Sequence, residues 1–303
     1  MLMSEKNSET PDSAQWTIIK LLQWAASYLK AHDVDSPRAT GEILLAHALK
    51  CERIALYLNF EQPLIGDELR AFKTLIQRRI RREPVAYILG VKEFWSLDLE
   101  VTRDVLIPRP ETECLVETAL EHLSRHASFQ SWRILDLGTG SGAIIIALAA
   151  QQSRHTYFAS DRSLQAVRVA RRNAKRHNLD GLIHYFNADW LTSLNPNKSA
   201  FDMIISNPPY IPSRVIDGLQ PEINSFEPIE ALDGSDDGLK CFQEIIGVAH
   251  RYLKSDGVLL LEIGHDQRDD VYRLADASGH YQNFKCTNDY AGYNRVVRMH
   301  KKE

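Results

Sequence analysis

The sequence predicts a two-part protein of the α/β class. A mostly parallel twisted sheet with helices on both faces follows a small all-helical domain and a connecting β-hairpin. Three observations predict it. From Trp132 onward, apolar strand-like runs alternate with helical stretches, the pattern of strand–helix units stacked into a parallel sheet. Two loop motifs, Asp136–Gly142 and Asn207–Tyr210, follow directly on two of those strands, and ligands of such sheets sit outside the carboxyl ends of strands. Before residue 85 the apolar positions recur at helical spacing and no strand pattern occurs.

In chain order, residues 1–14 read as a polar, mobile tail. A first helix is marked by Trp16, Ile19 and Leu22, with Ile18, Leu21, Ala25, Tyr28 and Leu29 widening its apolar stripe. Ser36-Pro37 predicts a cap and first turn for a second helix running to about Lys50. Two more are expected over Glu52–Asn59 and Asp67–Arg82. Alternation within Val91–Thr102 predicts a short hairpin, and Ile107-Pro108-Arg109-Pro110 is too stiff for a helix. An amphipathic helix follows from Glu111 to about Arg125. Strands are then expected at Arg133–Leu137, Thr156–Ser160, Leu182–Asn187, Phe201–Ser206 and Val258–Ile263. Helices are expected at Gly142–Gln151, Ser163–His177 and Gly238–Leu253, then a last helix with two strands. The expected division is therefore tail 1–14, helical domain 15–90, hairpin linker 91–110 and α/β domain 111–303.

Composition excludes several classes. Hydrophobic residues at 44% and charged residues at 25% are ordinary for a globular protein. A formal net charge of -4 gives no basic surface for tight nucleic-acid binding. Cys51, Cys114, Cys241 and Cys286 form no CxxC pair, which suits a reducing compartment. The histidines form no ligand spacing, so no metal is expected. The longest apolar run, Gly142–Ala150, is far below the roughly 20 residues of a membrane span. No signal peptide is expected, and the cytoplasm is the expected compartment. The run Arg78–Arg82 ends a helix, where it favours the helix dipole; contact with an acidic partner or with RNA is the other reading.

In Asp136-Leu137-Gly138-Thr139-Gly140-Ser141-Gly142 a buried strand enters a glycine turn that opens a helix. Glycines let a ligand approach bare amides. Gly138, Gly140 and Ala143 also satisfy a dinucleotide fingerprint, but Asp136 places a carboxylate where a pyrophosphate would come, which suits a cationic ligand better. Asp161 ends the next strand, where a carboxylate accepts hydrogen bonds from ribose hydroxyls. A plain turn, with Asp161 capping the next helix, is the bland alternative.

Asn207-Pro208-Pro209-Tyr210 follows strand Phe201–Ser206. Its residue types fit the presentation of a planar nitrogen to an electrophilic methyl group. Pro208 keeps Asn207 out of the helical conformation, and Pro208 and Pro209 fix their own φ angles. The Asn207 side-chain carbonyl and a nearby main-chain carbonyl accept from an NH2 group, while Tyr210 supplies a flat face. Trp190, just after the third strand, is placed for an indole to stack on an adenine; an ordinary core tryptophan is its other reading. The irregular stretch Ile211–Asp237 reads as a wall or lid of the pocket.

These motifs resemble those of the protein-(glutamine-N5) methyltransferases that act on peptide chain release factors. The resemblance covers Arg82–Tyr87, Phe94-Trp95-Ser96, Leu106–Glu113, the glycine loop, Asn207–Ile211, Glu227-Pro228, Ala231–Gly234, Asp237–Leu239 and Leu261–Gly264. It implies a class I methyltransferase fold and S-adenosyl-L-methionine as methyl donor, leaving as S-adenosyl-L-homocysteine. Implied cofactor contacts are Gly138, Thr139, Gly140, Ser141, Gly142, Asp161, Trp190 and Asn207. Implied substrate contacts are Asn207, Pro208, Pro209 and Tyr210, with Asn207, Pro208 and Tyr210 as the catalytic set. The implied partner is a release factor, methylated on the glutamine of its Gly-Gly-Gln loop. Gly234-Ser235-Asp236 departs from the family pattern, which often has a second glycine, and the departure is expected to be neutral.

Competing readings are glutamine methylation of a ribosomal protein, adenine-N6 methylation of nucleic acid, and a non-catalytic binding module on the same fold. The adenine reading needs a basic groove for a flipped base, and the helical domain is small and not basic enough for one.

Overall fold

The computed structural model describes residues 15–126, 130–196, 198 and 200–303; the tail expected at 1–14 lies outside them. The chain divides into two units, Met1–Leu89 and Gly90–Glu303.

In the first unit, α1 (Ile18–Lys30), α2 (Pro37–Leu49), α3 (Arg53–Leu58), α4 (Gly66–Ile80) and α5 (Val85–Leu89) enclose an apolar cluster. Ile18, Leu21, Ala25 and Leu29 of α1 meet Leu44 and Leu45 of α2 and Phe72 and Ile76 of α4. Helix α5 is too short for a periodic signal, and the sequence reading left it out. Ser36 does not cap α2. It stands in the left-handed region at φ 48° and makes no side-chain cap bond, because a capping hydroxyl reaches the first-turn amides only from an extended backbone. The Arg78–Arg82 run is partly internal: Arg78 forks onto Glu83 at 2.8 and 2.7 Å and also donates to the carbonyls of Tyr87 and Ile88, meeting the exposed acceptors at the end of α5.

The second unit opens with hairpin β1 (Val91–Phe94) and β2 (Leu97–Glu100). Its two-residue turn holds Trp95 and Ser96 at φ 53° and 58°, the double positive-φ geometry that matches strand twist. A 3-10 turn at Pro110–Thr112 leads into α6 (Glu113–His126). There follow β3 (Arg133–Leu137), α7 (Ala143–Gln151), β4 (Thr156–Asp161), α8 (Leu164–Arg176), β5 (Ile183–Asn187) and β6 (Phe201–Ser206). After short helices α9 (Ser213–Ile216) and α10 (Pro221–Asn224) come α11 (Lys240–Ala249), β7 (Leu253–Glu262), α12 (Arg268–Ser278), β8 (Tyr281–Asn288) and β9 (Asn294–Lys301).

The sheet order is β5-β4-β3-β6-β7-β9-β8, parallel from β5 to β7 and antiparallel at β9 and β8. Strand alternation sends Ile134, Ile205 and Leu260 to the face packed by α6 and α7. It sends Leu135, Leu137, Ile204 and Leu261 to the face packed by Phe242 and Ile246 of α11 and Val271 of α12. Strand β7 begins at Leu253, inside the helix expected to run from Gly238 to that residue. The strand register against β6 shifts between Phe201 and Met203, where Asp256 is left-handed at φ 58°, a bulge that hides the strand's first half from a periodicity argument.

Candidate active site

Both loop motifs leave neighbouring parallel strands, since β3 pairs with β6 and Leu137 stands opposite Ser206. The glycine turn and the Asn207–Tyr210 loop therefore emerge side by side at the carboxyl edge.

Three glycines of the first loop have positive φ, at 70°, 56° and 83° for Gly138, Gly140 and Gly142, and each serves a different need. A Cβ at Gly142 would lie 2.8 Å from the Ile146 side chain and 3.1 Å from that of Ala170, so this glycine lets α8 close onto α7. A Cβ at Gly138 would touch the Trp190 ring at 3.6 Å. A Cβ at Gly140 would meet nothing within 4 Å, so that side of the turn faces open space where a ligand can approach the backbone. The loop is pinned from below by Asn173, wholly buried, whose Nδ2 donates to the carbonyls of Ser141 and Glu100 at 2.8 and 2.9 Å.

Asp161 stands at the end of β4. Its Oδ2 accepts from the Gly140 amide at 2.9 Å and its Oδ1 from the Ser163 amide at 2.8 Å. Burial raises its pKa, and the two amides oppose the rise. The cap of α8 itself is Ser163, which accepts from the Ala166 amide. Asp161 thus ties the glycine turn to the second strand. Asp136, wholly buried, is not the fixed charge that the sequence suggested: burial pushes its carboxyl up to about 7, against a hydrogen bond from Thr139 at 2.6 Å. Its Oδ1 has no partner among the described residues.

Trp190 is left-handed at φ 47° and half-buried, with its indole N–H given to Glu244 of α11 at 2.8 Å. That tether fixes the ring plane beside Gly138, and nothing in the local sequence around Glu244 signals it.

In the second loop Pro208 is buried, while Asn207, Pro209 and Tyr210 are half-buried. Asn207 Nδ2 donates to Thr112 Oγ1 at 3.2 Å. The Tyr210 hydroxyl donates to Glu262 at 3.4 Å, and burial raises the tyrosine pKa. The Tyr210 carbonyl accepts from Gln267 Nε2 at 3.0 Å, a side chain that also reaches the Gly238 carbonyl at 3.2 Å. Beyond it, the stretch expected to be irregular holds α9, α10 and a 3-10 turn, and is latched by a parallel bridge between Ile211 and Asp233. Glu227 fastens this segment to the proline-rich one: its carboxylate accepts from the Ile107 amide at 3.1 Å and pairs with Arg109. Ser235 stands at φ 73°, a left-handed backbone that strains a residue with a Cβ.

Sequence reasoning assigned no role to Thr112, Asn173, Glu227, Glu244, Glu262 or Gln267. All act across long sequence separations, which local patterns cannot show. Among the described residues no cluster of metal-ligating side chains occurs, and no helix is long and apolar enough to cross a membrane.

Residues 20–90 match the model of the PrmC N-terminal domain, and residues 112–218 that of the methyltransferase small domain. A release factor glutamine methyltransferase of Geobacter sulfurreducens is 40% identical over 282 residues, 93% of this chain and 96% of that protein. One from Rhodopirellula baltica is 35% identical over 300 residues, 99% and 100% of the two. Among solved structures, a methyltransferase from Pyrococcus furiosus aligns with TM-score 0.50 at 16% identity, over 75% of this chain and 99% of that one. The hMettl16 catalytic domain in complex with a MAT2A 3'UTR hairpin aligns with TM-score 0.54 at 16% identity, covering 80% and 84%; these two speak for the fold alone. With such identity sustained over nearly its whole length, the chain belongs to the release factor glutamine methyltransferase family.

Proposed function

We propose that this enzyme transfers a methyl group from S-adenosyl-L-methionine to the side-chain N5 of the glutamine in the Gly-Gly-Gln loop of a peptide chain release factor, in the cytoplasm. The observation that carries the reading is the Asn207–Tyr210 loop held at a strand end beside a glycine turn with open space over Gly140.

The residues present fit the methyl donor. Gly138, Thr139, Gly140, Ser141 and Gly142 form the turn it would lie against, and Asp161 offers lone pairs for ribose hydroxyls. Trp190 offers a ring face, and Asn207 closes the cofactor side. The orphan Oδ1 of buried Asp136 leaves one acceptor unpaired at the strand end that enters the glycine turn. When bound, S-adenosyl-L-methionine supplies an electrophilic methyl on a sulfonium and leaves as S-adenosyl-L-homocysteine.

An amide nitrogen shares its lone pair with its carbonyl, and the rotation barrier of about 18–20 kcal/mol measures that sharing. Asn207 Oδ1 and the Pro208 carbonyl accept the two N–H bonds of the target, turning its lone pair toward the methyl. Pro209 keeps the loop stiff, and Tyr210 lies flat against the amide plane. Orientation and fixed acceptors supply the catalysis, and the proton leaves after the nitrogen has become positive, so no strong base is needed. Residues 15–90 serve as the docking domain and 91–110 as the hairpin linker to the catalytic domain 111–303.

The test is mass spectrometry of a release factor incubated with enzyme and cofactor. The expected result is one added methyl on the Gly-Gly-Gln glutamine, with kcat lowered about 10²–10³-fold in Asn207→Ala. Methylation of adenine in nucleic acid instead would sink the protein-substrate reading.

A further inference from the structure

Strand register carries the turn between β8 and β9 to the edge where the site's two loops emerge. Strand β6 ends at Ser206, opposite Leu261 of β7, and Glu262 of β7 stands opposite Val296 of β9. Strand β9 runs the other way, so its first residues reach beyond that edge. There the Ile263 amide donates to the Arg295 carbonyl at 2.9 Å, and Asn294 Nδ2 donates to the His265 carbonyl at 3.1 Å. Residues 289–293, which join β8 to β9, therefore project past the carboxyl edge. In the order β6-β7-β9 they stand two strands from the Asn207–Tyr210 loop, a spacing of about 10 Å.

The turn is built to hold one shape. Asp289, 9% exposed, lies at its centre. Its Oδ1 accepts from the amides of Ala291 and Tyr293 at 3.0 and 2.9 Å, and its Oδ2 from Arg295 Nε and Nη2 at 3.2 and 3.0 Å. Arg295 is fixed in turn by the Ile263 carbonyl, which accepts from its Nη1 at 3.0 Å. Asn288 Nδ2 donates to the Gly292 carbonyl at 3.0 Å, and Gly292 takes φ 86°, a conformation open to a residue without a Cβ.

That shape presents two tyrosines to solvent, Tyr290 at 79% exposure and Tyr293 at 57%. They bury little against their own chain, so the core does not account for them. Both are tethered to elements that also hold the Asn207–Tyr210 loop. The Tyr290 hydroxyl donates to Glu117 of α6, the helix that begins directly after Thr112, the partner of Asn207. The Tyr293 ring meets the exposed His265 ring edge-on, 5.8 Å between centroids. His265 lies two residues before Gln267, which donates to the Tyr210 carbonyl at 3.0 Å. Exposed rings that are already held still lose little entropy when a partner covers them, and tyrosine is prominent among residues that dominate interfaces.

We propose that the tip Asp289–Tyr293 is a docking lip for the protein substrate, on which Tyr290 and Tyr293 cover the main chain flanking the target glutamine. The proposal rests on the reading of the substrate as the Gly-Gly-Gln loop of a release factor. A glycine pair leaves peptide planes bare of side chains, and a flat ring can lie close against them. A nucleic-acid strand also stacks on exposed rings, but it needs cations along its backbone. Here the tip's cation, Arg295, is paired with Asp289, and the Tyr290 hydroxyl rests on a second carboxylate, Glu117.

The experiment uses the full-length enzyme loaded with S-adenosyl-L-homocysteine and an intact release factor. Tyr290→Ala and Tyr293→Ala should each raise the calorimetric Kd for the factor about tenfold, the size expected of an interface ring. The KM for the factor should rise in parallel in turnover assays, while cofactor Kd and the urea midpoint stay near wild type. Tyr290→Phe keeps the ring and gives up the bond to Glu117, so it should bind within about twofold of wild type. With p-benzoylphenylalanine at position 290, light should crosslink the enzyme to the factor's tryptic peptide that carries the target glutamine. Unchanged Kd and KM in the double alanine variant overturn the proposal. So does a crosslink confined to another part of the factor, a loss that lies in cofactor affinity, or a Tyr290→Phe loss equal to that of Tyr290→Ala. A wild-type enzyme that leaves the glutamine unmethylated removes the substrate reading and the inference with it. A wild-type enzyme that methylates it, beside a double variant that binds normally, overturns the inference alone.

Discussion

A Cβ on Gly238 would lie 2.4 Å from the main-chain oxygen of Tyr210. The two residues touch backbone to backbone, and Gln267 bridges their carbonyls. The Asn207–Tyr210 loop is therefore braced by a glycine 28 residues further along the chain. Gly238→Ala should displace Tyr210 and also strain a backbone at φ 76°. The expected outcome is about 1–3 kcal/mol lost in urea unfolding, with turnover reduced far more than cofactor affinity in the folded fraction.

Ser235 pays for a left-handed backbone that a glycine would adopt freely. Ser235→Gly should stabilise the protein by up to about 1 kcal/mol, part of the gain being offset by the freer unfolded chain. The midpoint of urea unfolding measures it. An unchanged or lower midpoint would mean that the Ile211–Asp237 segment is not strained at this point.

The carboxylate of Asp161 is both a candidate ribose ligand and the tie to the Gly140 amide. Asp161→Ala should weaken cofactor binding by about 1.5–3 kcal/mol for each charged hydrogen bond lost, while loosening the glycine turn. Calorimetry on folded protein reads the affinity, and an unchanged value would remove Asp161 from the site. Gly140→Val fills the open space over the turn and should abolish binding outright.

Asp136 makes stability depend on pH in a defined direction. Its folded carboxyl is raised from 3.8 to about 7 by burial, so between those values the folded state keeps a proton that the unfolded chain has lost. Stability of the ligand-free enzyme should fall as pH rises from about 4 to about 7 and level off above, with Glu262 acting in the same direction. Asp136→Asn keeps an acceptor for Thr139 but cannot ionise. Its stability advantage over wild type should be a few kcal/mol at pH 8, by about 1.4 kcal/mol per unit, and shrink toward pH 4. Urea melts at several pH values check the trend.

The sequence by itself determined the alternation of strands and helices, the glycine turn and the Asn207–Tyr210 loop, because each depends on residues within a few positions of one another. Periodicity, glycine and proline act locally, so the loops that leave the carboxyl ends of β3, β4 and β6 were legible. Tertiary structure alone decided what holds those groups. Thr112 meets Asn207 across 95 residues, Glu227 meets Ile107 across 120, and Asn173 reaches back 73 residues to Glu100. It also decided the state of Asp136, a charge by its side chain alone and a carboxyl near neutrality once buried. A side chain's partners and its solvent are set by the closing of the sheet, and no local pattern encodes which distant residue arrives.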